Sequence, residues 1–96
     1  MTYALEKKTK QPREVLDFDF EAKRRLDDDD AIDSVTASVA GSDIKLTIQA
    51  ITWTDTRAKV WLAGGTDQGQ YKITALIVTI GGRTIEGEFL LFVKER

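Results

Sequence analysis

The chain has 96 residues, fourteen basic and sixteen acidic, for a net charge of −2, with no cysteine and no histidine. Its length suits one compact domain, and 42 % hydrophobic residues are too many for a disordered chain. The composition excludes disulfides, thiol nucleophiles, zinc–thiolate sites and histidine acid–base chemistry, which argues against most enzymes.

Residues 1–13 read as a basic N-terminal arm. Lys7, Lys8, Lys10 and Arg13 stand against Glu6 alone, a balance of +3. Met1 to Lys8 holds no apolar stretch of the signal-peptide kind, and no apolar run approaches the roughly 20 residues that cross a bilayer, so no membrane partner is expected. Residues 14–33 hold nine acids against Lys23, Arg24 and Arg25, a balance of −6. A basic arm beside an acidic segment favours head-to-tail contact between copies, because opposite patches steer association. A solvated tail is the bland reading. So few bases next to such an acidic excess hold phosphate weakly, and nucleic acid is not expected as a partner.

From residue 14 to 96 the apolar period is two, and β-branched and aromatic residues dominate, which predicts strands. Leu16, Phe18 and Phe20 alternate with acids. Glu21 to Arg25 is a helical candidate too short to stand alone. Val35, Ala37 and Val39 alternate with Thr36 and Ser38, Gly41-Ser42-Asp43 supplies a turn, and Ile44, Leu46 and Ile48 alternate after it. Ala58, Val60 and Leu62 alternate with Lys59, Trp61 and Ala63. Gly64 to Gly69 is a loop, and Gln70 to Ile80 and Thr84 to Lys94 form a hairpin about Gly81-Gly82. About seven short strands with turn signals between them predict an all-β, immunoglobulin-like β-sandwich.

In that hairpin a two-residue loop sets Ile80 opposite Arg83 and divides the apolar side chains of the first strand between the two faces. One extra residue between Thr74 and Ile77 restores a common core face, so a β-bulge is expected there, with Tyr71 opposite Leu91 and Ile73 opposite Phe89. The outer face then carries Trp61, Lys72 and Leu90 in one cross-strand row, with Phe92 beside them. Such an apolar patch favours an interface. The alternative is cover within the chain by the arm or by Ala22 to Leu26. The candidate interface residues are therefore Tyr3, Lys7, Lys8, Lys10 and Arg13 of the arm with Trp61, Lys72, Leu90 and Phe92 of the sheet.

No catalytic, cofactor or metal site emerges. Asp27-Asp28-Asp29-Asp30 could attract a hard cation such as calcium, but the spacing is not that of an EF-hand, and a solvated loop is the default. Gly64 and Gly69 have phosphate-loop spacing, but Gln70-Tyr71 follows them in place of Lys-Ser or Lys-Thr, and a strand follows in place of a helix. Glu86 and Glu88 share one outward strand face with little room for a glycosidase cleft around them.

Three stretches resemble a known family. They are Lys10-Gln11-Pro12-Arg13-Glu14-Val15-Leu16-Asp17-Phe18-Asp19-Phe20 with its continuation Leu26 to Ser34, then Val60-Trp61-Leu62-Ala63-Gly64-Gly65-Thr66-Asp67-Gln68-Gly69-Gln70-Tyr71-Lys72-Ile73-Thr74, and Thr79-Ile80-Gly81-Gly82-Arg83. Together they are similar to small tailed-bacteriophage proteins of the fiber–tail adaptor or head–neck accessory kind. Phe20 replaces the family's usual tryptophan and Ala63 its usual serine. The resemblance implies an immunoglobulin-like structural virion protein, on the capsid, neck or tail, with no catalytic residue to carry over. Its partners would be copies of itself and other capsid, neck, tail or fiber proteins, and it would be made in the bacterial host cytoplasm. In that reading the arm is a strap ordered on docking, and many symmetric copies multiply weak contacts. From another class, Trp53 or Trp61 could serve a carbohydrate- or surface-binding module.

Overall fold

The computed structural model describes residues 6–41 and 43–95, with the backbone alone for Arg24. Among the described residues seven strands follow one another: β1 (Glu6–Lys10), β2 (Val15–Glu21), β3 (Ile32–Gly41), β4 (Leu46–Trp53), β5 (Arg57–Gly64), β6 (Gln70–Thr79) and β7 (Thr84–Val93). One 3-10 turn, Lys23–Arg25, occupies the helical candidate. The strands form two sheets, β1-β7-β6-β3 and β2-β5-β4. Pairing is antiparallel except where β1 runs parallel to β7. The protein is thus an all-β, two-sheet sandwich, as the alternation predicts.

Alternation decides what each sheet buries. Tyr71, Ile73, Ala75 and Ile77 of β6 and Ile85, Phe89, Leu91 and Val93 of β7 all turn inward and are buried. They meet Phe18, Val60 and Leu62 of the other sheet, and Phe89 lies 5.2 Å from Phe18 and 5.4 Å from Phe20, ring centre to ring centre. A second cluster, Ala22, Ile32, Val35, Ala58, Ile77 and Ile85, fills the other end. Gly87 lets the sheets close here: a Cβ on it would lie 2.6 Å from Cδ1 of Phe20.

The last hairpin corrects one expectation. Tyr71 faces Leu91 and Ile73 faces Phe89 as anticipated, but the ladder from Gln70–Phe92 to Val78–Thr84 is unbroken, with no bulge between Thr74 and Ile77. The extra residue sits in the turn instead. Thr79 N–H donates to the Arg83 carbonyl at 2.9 Å, and Gly82 N–H donates to the Thr79 carbonyl at 3.1 Å. The loop is therefore the three residues Ile80-Gly81-Gly82, closed by Gly82 at φ +89°, the arrangement of a tight turn followed by a left-handed residue. In consequence Val78 is not in the core: Leu76, Val78 and Ile80 are 41 %, 37 % and 70 % exposed. Bulges do occur elsewhere, at Asp33 in β3 and at Gln49 in β4. Ile44 lies outside β4, in the preceding bend, and is 91 % exposed.

Candidate docking face

β1 had no apolar alternation to reveal it, yet residues 6–10 of the basic arm form the edge strand beside β7. Lys7 pairs with Leu90, and Leu90 pairs in turn with Lys72 of β6. The next row is Thr9, Phe92 and Gln70. Leu90 is 36 % exposed and Phe92 half-buried. Leu90 of the first row and Thr9, Phe92 and Gln70 of the second line a groove of about 410 Å³ together with Lys7, Lys8 and Leu91. Lys72 Nζ is held 2.8 Å from Glu88 Oε2, and Lys8 Nζ is 2.9 Å from Glu6 Oε1 and 5.9 Å from the centre of the Phe89 ring.

Trp61 does not join this row. It belongs to β5, between Asp17 of β2 and Ala50 of β4, on the outer face of the other sheet. The expected single row of Trp61, Lys72 and Leu90 is therefore split across the sandwich. The assumption that failed was that β5 neighbours β6, because consecutive strands usually pair; here the chain crosses between sheets at Gly64 to Gly69. Leu76 and Val78 on the outer face of β6 are apolar positions the sequence reading missed. The signal was present in the uninterrupted alternation Ile73, Ala75, Ile77, Thr79.

Two lysines of the arm have different fates. Lys7 is exposed, whereas Lys10 is 2 % exposed. Its ammonium donates to the carbonyls of Gln11 (2.8 Å), Pro12 (3.4 Å) and Gly64. Burial lowers its pKa, and the nearby Glu14 carboxylate partly offsets this. Lys10 is thus a fastening of β1 to the β5 end rather than an open charge. Arg13 is exposed in the turn that follows, where Gln11 N–H donates to Glu14 Oε1 at 2.8 Å. Tyr3 lies outside the described residues.

The acidic run is tied into the fold at both ends. Asp30 Oδ1 accepts the N–H groups of Gly81 (2.8 Å) and Ala31 (2.9 Å), and Asp27 Oδ2 accepts from Arg83 at 2.7 Å. The Gly81 bond is the main cause of a lowered Asp30 pKa. Among the described residues no group of three or more acidic side chains is arranged to hold a metal ion.

These features define a small β-sandwich that presents outer sheet faces, with Lys10 and Tyr71 bonded in its corners. The chain belongs to the Gp77 family: the family model, described as podophage GP4 fiber-tail adaptor protein gp77, matches residues 10–92, from the end of β1 almost to the end of β7. No curated protein matches the chain. The motif from Val60 to Thr74 corresponds to the crossing from β5 to β6. There Gly64 and Gly65 take φ +78° and +101°, and Tyr71 binds the loop with its hydroxyl.

Proposed function

We propose that this chain is a non-enzymatic structural link in a podophage virion, seated between tail and fiber and present in several copies. The single observation behind this reading is the family match over residues 10–92. The outer face around Leu90 and Phe92, edged by Lys7 and Lys72, is the docking surface for another tail or fiber protein, since exposed apolar groups rimmed by charge suit such contacts. The described part of the arm sets one wall of that groove, and Trp61 on the opposite face is available for a second neighbour. Partners are proteins of the particle; neither nucleic acid nor membrane is part of the proposal, and no cofactor is needed. The site of synthesis is the host cytoplasm.

The test is imaging of particles made without this chain by its phage. Filled heads and assembled tails that lack fibers support the link. Particles that keep their full set of fibers overturn it.

A further inference from the structure

Four strands end a sheet in this sandwich, and three of them carry features that discourage unwanted pairing. β1 is Glu-Lys-Lys-Thr-Lys, β2 sets Asp17, Asp19 and Glu21 on its outward side, and β4, itself uncharged from Leu46 to Trp53, is broken in mid-strand by the bulge at Gln49. β3 differs. It is ten residues long, and from Ser34 to Gly41 it holds neither a charged residue nor a proline. Its one irregularity, at Asp33, precedes that stretch. In a chain with 31 % charged residues, an uncharged edge of this length invites another strand.

The inward side of β3 is incompletely covered. Ala37 and Val39 lie opposite Ala75 and Ile73 of β6, which are both 0 % exposed, yet Ala37 and Val39 themselves are only half-buried. On the outward side Thr36 and Ser38 are exposed.

The sequence about Ala37 is its own antiparallel complement. Counting outward, Thr36 matches Ser38, Val35 matches Val39 and Ser34 matches Ala40. A two-fold axis through Ala37 would set valine against valine on the core side and threonine against serine on the solvent side, both favourable cross-strand pairs. Two-fold contacts are self-complementary in this way.

We propose that β3 is a homotypic pairing edge whose occupant is β3 of a second copy of this chain, antiparallel about Ala37, so that two four-stranded sheets become one of eight. This rests on the edge alone and stands or falls independently of the fiber–tail reading.

The experiment is sedimentation equilibrium of the whole chain beside two double variants, Thr36→Glu with Ser38→Glu, and Thr36→Lys with Ser38→Lys. Both positions are exposed, and unchanged far-ultraviolet circular dichroism with a cooperative melt verifies the fold of each, a lower melting temperature being itself expected where the dimer is lost. The native chain is expected to dimerise. Each variant alone sets like charges opposite one another and should weaken the dimer by about tenfold or more. An equimolar mixture of the two sets opposite charges in the same places and should restore a heterodimer. A native chain that stays monomeric at its highest soluble concentration overturns the proposal. So does a dimer that either variant leaves unchanged, or a mixture that fails to associate.

Discussion

The Tyr71 hydroxyl donates to Asp43 Oδ1 at 2.8 Å while it accepts the Thr66 N–H at 3.0 Å, so one ring joins the β3–β4 turn to the β5–β6 corner. The ring itself is 1 % exposed, between the two sheets. Tyr71→Phe keeps that packing and removes both bonds. The loss expected is about 1–3 kcal/mol, the usual cost of leaving a buried polar partner unmade. A urea melt checks it, with a lower midpoint and an unchanged slope.

Asp43 gives the same corner a pH dependence. Its carboxyl is held below the ordinary 3.8 by the Lys45 N–H first, then by the Thr66 and Tyr71 side chains. The folded state therefore binds fewer protons than the unfolded state in the window beneath 3.8. Stability from this group is complete above the unfolded value and is lost as pH falls through the folded one. Asp30, held low chiefly by Gly81 N–H, acts with the same sign. Asp43→Asn should accordingly show a shallower loss of stability between neutral pH and pH about 3 than the native chain, measured by urea melts at each pH. An identical slope would count against the bond.

Lys10 fixes the edge strand. Lys10→Met retains the aliphatic stem but leaves the carbonyls of Gln11, Pro12 and Gly64 without this donor. The expected cost is about 1–3 kcal/mol, and it should be local. Hydrogen exchange should quicken in β1 and at its junction with Lys94, whose N–H donates to the Lys10 carbonyl at 2.9 Å, while β6 amides stay protected. A uniform change across the chain would argue against a local fastening.

How far the fold could be read from residues follows from what each segment buries. β2, β3, β5, β6 and β7 alternate because one face of each meets the core, so their period was visible. β1 buries little besides the Lys10 stem, and Glu-Lys-Lys-Thr-Lys has the composition of a tail; only its backbone pairing with β7 makes it a strand. The parity problem in the last hairpin was real, but its solution lay in φ at Gly82, which allows a three-residue loop where Gly81-Gly82 suggested two. Trp61 was misplaced for a different reason. Local alternation sets the face a residue takes within its sheet, but not which sheet its strand enters, and the crossing at Gly64 to Gly69 is held by backbone bonds to the distant Lys45 and Val93.

Gly87 offers a test of sheet separation. Gly87→Ala places a methyl 2.6 Å from Cδ1 of Phe20, and Phe20 is itself packed on Phe89. Overpacking at such a contact costs about 1–3 kcal/mol, read as a lower melting temperature. Combining it with Phe20→Leu should recover part of that loss, because the ring edge that meets the new methyl is gone. Additive losses in the double variant would mean that the strain arises elsewhere.

The two outer faces can be separated by substitution because Leu90 and Trp61 lie on opposite sheets. Leu90 is 36 % exposed in the groove beside Lys7, so under the docking proposal a charge introduced there would face the neighbouring protein directly. Leu90→Glu should change the stability of the isolated chain by less than about 1 kcal/mol, yet weaken docking by about 2 kcal/mol or more, roughly 30-fold, as loss of an interface anchor does. Trp61→Ala should leave that contact unaltered, since its ring faces away. Incorporation of each variant into particles, measured beside the native chain at equal expression, distinguishes the faces. Normal incorporation of Leu90→Glu with failure of Trp61→Ala would move the docking surface to the β2-β5-β4 sheet.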